Sequence, residues 1–287
     1  MYTYYHKKQK NYKKYILIGI FVVIAVLGGY RAYQRITYIP PQTSLFAPEK
    51  TMRIIEGWDV YDIADYLDAQ KIAKREEFLQ FVGSPAQKGN FGFRDSALMK
   101  KYPFLKEIPN GVSLEGYLFP DTYRVFEGAS VEDVVDRMLE NFNTKFDEQM
   151  RADMKAQHKK MYEIVTMASI IEIEVHGKRD RALVSDILWS RLKIGMALQV
   201  DSSVNYVTRK NNPAVTIKDT RYDSPFNTYL YRGLPLGPIS NPGLESLKAA
   251  LHPESNPYVY FLTTKEGEVK YAKSLEEHNK NKFQYLK

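Results

Sequence analysis

KMYEIVTMASIIEIEV, residues 160–175, is the stretch that decides how the chain is organised. Ile164, Val165, Met167, Ala168, Ile170, Ile171 and Ile173 fall on every side of a helix with 3.6 residues per turn. A helix that is apolar all round has to be buried, so this stretch predicts the central helix of a sizeable core. Inside it stands Glu172, one turn beyond Ala168 and Ser169 and two beyond Val165. Burying an ionised carboxylate costs roughly several kcal/mol, so such a group normally neutralises or finds a partner. Desolvation favours the neutral form of a carboxyl group, the form a general acid needs. The helix alone leaves a second reading open, in which Glu172 forms a structural ion pair with Arg179 or Arg181. Glu174 lies nearer the helix end, beside Lys178 and Arg179, and reads as solvated.

Working outward, a second helix is expected at about Arg179–Leu192, stopped by Gly195. Residues 233–243 (GLPLGPISNPG) hold three Pro and three Gly and require a rigid loop. Asn241-Pro242 then offers an N-cap and an N1 proline for a helix reaching Leu251. Tyr258–Thr263 and Glu268–Ala272, joined through Lys265-Glu266-Gly267, read as a closing hairpin. On the other side, Ser130 with Asp133 forms a capping box for a helix running to about Gln157. Further upstream, Met52–Ile55 is a short strand, Glu56-Gly57 a turn, and Asp59 a cap for a helix carrying Val60, Ile63, Ala64 and Leu67. A second short helix covers Arg75–Val82. A strand and two helices in so short a span resemble a LysM-like module, the type that binds N-acetylglucosamine polymers; a plain packing subdomain fits equally. No acid in 50–83 reads as buried, so this unit is expected to add affinity rather than chemistry. The fold class is α+β: a LysM-like subdomain at 50–83, a connector at 84–112 and a larger mixed α+β domain at 113–287.

The net charge of +7 comes from the N-terminus. Residues 1–48 carry Lys7, Lys8, Lys10, Lys13, Lys14, Arg31 and Arg35 and no acid, which leaves 34 basic against 34 acidic residues from Glu49 onward. The globular part is neutral, so no nucleic-acid partner is expected. Tyr15–Tyr30 (YILIGIFVVIAVLGGY) is uncharged and nearly all apolar. Sixteen residues at 1.5 Å rise cover about 24 Å, and interfacial Tyr15, Tyr30 and Tyr33 with Lys14 and Arg31 extend the reach. The sequence thus predicts a cytoplasmic tail at 1–14, a single-pass transmembrane anchor at 15–33 and a Pro-containing linker at 34–49. A cleaved signal peptide is the alternative, but Leu27-Gly28-Gly29-Tyr30-Arg31 is a poor cleavage site. Five lysines before the segment against two arginines after it place the bulk of the chain outside the cell membrane.

No other catalytic set competes with Glu172. His6, His158, His176, His252 and His278 show no metal-ligand spacing, there is no Cys, and Gly-x-Ser-x-Gly and phosphate loops are absent. No metal and no cofactor are expected.

Seven blocks occur in order over most of residues 54–279: Leu114–Tyr123 (LEGYLFPDTY), Ala168–Glu172 (ASIIE), Arg191–Met196 with Leu198–Asp201 (RLKIGM, LQVD), Ser224–Tyr229 (SPFNTY), Gly233–Pro235 (GLP), Pro238–Gly243 (PISNPG) and Ala250–Pro253 (ALHP). Together they resemble the YceG-like family, the MltG endolytic murein transglycosylases. Ile173 and Val175 depart from the family where polar residues are usual, and Phe226 stands where Tyr is common.

The resemblance places the family's catalytic glutamate on Glu172. It implies cleavage of the bond between N-acetylmuramic acid and N-acetylglucosamine in peptidoglycan glycan strands, with the sugar's own C6 hydroxyl in place of water. Glu115, Tyr117, Gln199, Asp201, Asn227 and Tyr229 lie inside the matched blocks and are the implied substrate-binding residues; loop hydrogen bonds are the competing role for the polar ones. Asp121 and Asn241, each beside Pro, read as loop hydrogen-bonders. Expected partners are glycan strands, the lipid bilayer and peptidoglycan synthases. A non-catalytic glycan-binding membrane scaffold is the rival from another class. An aminodeoxychorismate lyase using pyridoxal phosphate, an old label of the family, conflicts with the anchor.

The topology has a direct consequence. Protease added to spheroplasts should digest everything after about Arg35, followed by a C-terminal epitope; protection of that epitope would overturn the orientation.

Overall fold

The computed structural model describes residues 48–84, 93, 95–210 and 215–286, together with Ile16. The tail, the anchor read at 15–33 apart from Ile16, and most of the linker lie outside the described residues, and no helix among those described is long and apolar enough to cross a membrane.

The chain enters at β1 (Glu49–Arg53), which pairs antiparallel with β2 (Thr122–Phe126), Met52 facing Tyr123. Between them lie α1 (Val60–Ala69), α2 (Arg75–Val82), α3 (Ser96–Lys101) and a 3-10 turn at Pro103–Glu107. Asp59 caps α1 as expected, its carboxylate accepting from the N–H groups of Tyr61 and Asp62. The unit read at 50–83 therefore does not close on itself. A lone strand leaves its N–H and C=O groups unpaired, and β1 finds its partner some 70 residues on, inside the stretch read as 113–287.

Ser130 caps α4 (Val131–Lys145) through the capping box its sequence announced. The helix then breaks, because Phe146 is wholly buried against Phe142 and Asp147 restarts the chain by capping α5 (Glu148–Ala156). The central helix α6 (Met161–Glu174) falls where the apolar run put it, with Ile164, Val165, Met167, Ala168, Ile170 and Ile171 fully buried. It packs against α7 (Lys178–Lys193), α8 (Asp201–Thr208) and α9 (Leu244–Leu251). A hairpin of β3 (Tyr260–Thr263) and β4 (Val269–Ala272) follows, and then α10 (Leu275–Tyr285). The result is α+β, with ten helices and two two-stranded sheets among the described residues. One hydrophobic cluster runs from Met52, Leu67 and Phe78 through Leu114, Tyr117 and Phe142 to Ile171 and Leu247, so the first segment shares the core of the rest.

The proline-rich loop departs from expectation in one respect. Asn241 does not cap α9; Gly243 does, and no side chain caps that end. The Asn241 side chain is committed elsewhere: Oδ1 accepts from the N–H groups of Gly116 and Leu118 at 2.9 and 3.0 Å, and Nδ2 donates to Trp58 O and Glu115 Oε1 at 3.0 and 2.7 Å.

Gly116 shows how tightly these segments meet. Its φ is +86°, and a Cβ there would lie 2.6 Å from Pro238 Cβ and 2.7 Å from Val165 Cγ1. Gly116→Ala should therefore combine left-handed strain with overpacking and cost roughly 2–5 kcal/mol of stability in chemical denaturation. An unchanged midpoint would mean that the loop is not clamped onto α6.

Candidate active site

Glu172 sits near the end of α6, only 6% exposed. Its Oε1 accepts from the Arg181 guanidinium on α7 at 2.7 Å, and its Oε2 from the Gly243 N–H at the start of α9 at 2.9 Å. A cation on one oxygen and the positive end of a helix on the other compensate the charge where it lies. Of the two readings that the helix left open, the structure holds the ion pair, in which Arg181 is the partner, while Arg179 pairs with Glu254.

The turn between β1 and α1 closes over this group. A Cβ on Gly57 would meet Glu172 Cγ at 3.8 Å and Ile173 Cδ1 at 3.4 Å. Glu56 lies directly on Gly243, where any Cβ would collide with the Glu56 carboxylate. Partial burial first, and then the Glu172 charge, push the Glu56 carboxyl above its ordinary range, with Arg181 opposing and Glu245 adding to the rise. Glu56 also lines a cleft of about 340 Å³ with Arg53, Ile54, Ile55, Pro120, Asp121 and Thr122. Glu172 itself is not among the residues lining it.

The residues implied as substrate-binding divide into two groups. Glu115, Tyr117 and Asn227 are wholly buried and face the protein, a correction to their expected place in a groove. Glu115 accepts from Asn241 on Oε1 and from the Val60 N–H and the Tyr206 hydroxyl on Oε2. Tyr117 stacks on Phe104 and meets Phe142 at a tilt of 58°. Its hydroxyl has no hydrogen-bond partner among the described residues. Asn227 braces its own turn, donating to Thr220 O and Tyr222 O and accepting from the Tyr229 N–H. Each satisfies backbone or packing demands that a one-dimensional block does not display.

Gln199, Asp201 and Tyr229 do reach the surface. Gln199 is exposed with a left-handed φ of +51°, and the Tyr229 hydroxyl donates to Asp201 at 2.5 Å. Asp201 and Tyr229 lie near Glu174, which accepts from Ser202 Oγ at 2.6 Å. Glu174 is half-buried rather than the solvated residue its position suggested, and burial raises its carboxyl above its usual range. Asp121 accepts from Thr122 N–H and from Asn141, the loop role expected of it. Among the described residues no group of three or more His, Asp or Glu is placed to hold a metal ion.

An acid-bearing core helix, closed over by loops from distant segments, defines a class of site. Comparison then defines the family. The YceG-like family profile matches residues 2–284. The chain is 42% identical over 174 residues to the endolytic murein transglycosylase of Bacillus subtilis, covering 60% of this chain and 48% of that one. It is 28% identical over 262 residues to the enzyme of the same name from Streptococcus pneumoniae, covering 86% and 46%. It thus spans about half the length of these relatives. A crystal structure of a YceG-like protein from Listeria monocytogenes superposes with a TM-score of 0.69 at 36% identity, over 82% of this chain and 76% of that one. The chain belongs to the YceG-like family.

The Glu115 environment yields a test of sign. Burial, with Asp59 adding to it, holds this carboxyl well above its ordinary value of 4.5. A raised folded-state value means that stability is fully present below the unfolded value and is lost as pH rises toward the folded one. Glu115→Gln does not titrate. Its stability relative to the parent should therefore improve steadily as pH is raised above about 4.5, measured by denaturation across pH. A pH-independent difference would show that Glu115 carries the same charge in both states.

Proposed function

We propose that this chain is a membrane-anchored endolytic peptidoglycan transglycosylase, with Glu172 as the reacting carboxylate. It would cut the bond between N-acetylmuramic acid and N-acetylglucosamine in nascent glycan strands and leave 1,6-anhydro ends. The observation that carries the reading is the placement of Glu172. It stands in the ASIIE block, buried at the end of the core helix, where the neighbouring Arg181 and two distant segments, at Gly57 and Gly243, converge on it. The names of the relatives support the same reaction.

One carboxylate suffices for this chemistry in its simplest form. Ordinary glycosidases need two, because one must direct water or act as nucleophile. Here the C6 hydroxyl attacks C1, so one group protonates the leaving oxygen and then accepts the C6 proton. Gln199, Asp201 and Tyr229, which keep access to solvent, are the remaining candidates to hold the glycan. Asp201 and Tyr229 are fixed to each other and preorganised for it. The β1–α1–α2–β2 arrangement supports a LysM-like contact with the same polymer, and Tyr15–Tyr30 supports the anchor that keeps the domain outside the cell. Peptidoglycan synthases at the same membrane are the protein partners this placement favours.

The scaffold reading draws on one observation: Glu172 is paired with Arg181 and does not line the cleft. Two variants separate the readings, assayed with full-length protein in detergent by mass spectrometry of purified glycan strands. Glu172→Gln should lower release of 1,6-anhydro ends by ~10²–10⁴-fold. It should also lose up to about 3–5 kcal/mol of stability, because Arg181 is left buried without its counter-charge. Adding Arg181→Met removes the stranded charge, so stability should recover while cutting stays lost. A double variant that releases anhydro ends at the parental rate would end the assignment, and a parent that binds strands without ever producing them would establish the scaffold.

A further inference from the structure

Large apolar side chains rarely stay exposed together on a protein surface unless something covers them. Here they do so in one region. Ile194, Ile217, Tyr222, Leu230 and Tyr231 are each between 47% and 75% exposed. The backbone that carries them is pinned. Asn227 Nδ2 donates to Thr220 O and Tyr222 O at 3.1 and 2.8 Å, and the Tyr231 hydroxyl donates to Asp223 at 2.6 Å. Arg232 Nη1 donates to Gly195 O at 2.6 Å, which brings Ile194, the residue that ends α7, to the same region.

Each of four of these side chains has a cation next to it in the chain: Lys193 by Ile194, Lys218 by Ile217, Arg221 by Tyr222 and Arg232 by Tyr231, all four exposed. The acids of the stretch are engaged. Asp219 is buried and accepts from Lys210 and Thr216, and Asp223 accepts from Tyr231. Within residues 193–195 and 215–236 the four exposed cations therefore stand against a single exposed acid, Asp223. The sugar backbone of a glycan carries no charge to answer them, and the glycan candidates Asp201 and Tyr229 are half-buried and bonded to each other. A bilayer surface answers both components. Anionic headgroups take the cations, and the boundary between headgroups and acyl chains takes Tyr, Leu and Ile.

We propose that the surface formed by residues 217–232 and Ile194 docks onto an anionic lipid bilayer. This rests on the reading above in which Tyr15–Tyr30 anchors the chain. A tether of that kind turns docking into an intramolecular event, so a few weak contacts suffice to select one face. The face shares its loop with the glycan candidates: the Gln199 N–H donates to Thr228 O at 3.2 Å, and Tyr229 holds Asp201. Docking thus sets those candidates close to the headgroups, where a nascent strand lies.

The chain has no Cys, so a single one can be introduced and labelled with an environment-sensitive dye. Full-length protein carrying Ile217→Cys is reconstituted into vesicles of phosphatidylcholine, alone or mixed with phosphatidylglycerol. Leu275→Cys, exposed at the start of α10, is the control position. Quenching from labelled acyl chains is compared with quenching by aqueous iodide. The Ile217 label should be quenched from the lipid side in anionic vesicles and less so in neutral ones, while the Leu275 label stays accessible to iodide. Lys218→Glu combined with Arg221→Glu changes exposed residues only, so it should unfold with the parent and shift the docked-to-free ratio at least ~10-fold toward free. Salt at ~1 M should act in the same direction by screening. An Ile217 label that iodide reaches equally in both kinds of vesicle overturns the proposal. So does equal lipid quenching at Ile217 and Leu275, which is contact imposed by the tether alone. If the Ile217 label is shielded only when glycan strands are added, the face holds glycan; docking fails and the transglycosylase reading stands. If the chain does not enter vesicles at all, the anchor reading fails and takes this inference with it.

Discussion

The Asn241 side chain is the constraint around which this fold is assembled. An amide offers two donors and an acceptor with two lone pairs, and here all four are used, on Gly116, Leu118, Trp58 and Glu115. Its backbone adds two more bonds, donating to Trp58 O at 2.8 Å and accepting from the Gly57 N–H at 2.9 Å. Three stretches far apart in sequence, 57–60, 115–118 and 238–243, are thereby fixed to one residue that is itself wholly buried. The bonds to Gly116, Leu118 and Glu115 are buried, so losing one strands a partner at about 1–3 kcal/mol. Gly57 and Gly243 both lie at this junction; Gly243 N–H bonds Glu172, and a Cβ on Gly57 would meet it at 3.8 Å. The position of the acid is thus a consequence of how Asn241 is satisfied.

Two buried glutamates lie around this junction, and the fold treats them in opposite ways. Glu115 meets neutral donors only, an amide, a peptide N–H and a phenol, with Asp59 as a neighbouring negative charge, and its carboxyl is driven well upward. Glu172 meets a guanidinium and a helix N-terminus. Glu115 thereby ties the start of α1 to the core, and Glu172 ties the end of α6 to α7 and to the start of α9.

How much of this was readable beforehand depended on range. The all-round apolarity of 160–175 made α6 and its odd carboxylate evident, and Ser130 with Asp133, Asp59 and Gly267 marked their caps and turn, because each signal is complete within a few residues. The pairing of β1 with β2, the break at Phe146 and the role of Asn241 depend on contacts that local patterns do not carry. Asn241-Pro242 has the form of a helix start, but a network spanning some 180 residues claims its side chain first. Glu115, Tyr117 and Asn227 illustrate the same limit at the site. A polar or aromatic residue in a distinctive block looks alike whether it serves a ligand or a buried junction, and only its partners distinguish the two. Arg181 was legible as a partner of Glu172 because it lies in the first turn of the next helix, only nine residues on; Glu56 was not, since nothing local marks the turn after a strand as the neighbour of an acid more than a hundred residues away.

That last omission changes what the first segment contributes. Read alone, residues 50–83 offer no buried acid and suggest a separable binding module. In the fold, β1 has no sheet without β2, α1 is tied at its start to Glu115, and the turn between them lays Glu56 and Gly57 over Glu172. A glycan held by this segment would therefore be held against the wall of the acid site itself. The first segment and the end of α6 are in this way joined through one glycine, whose N–H holds Glu172 and whose Cα side is covered by the Glu56 carboxylate.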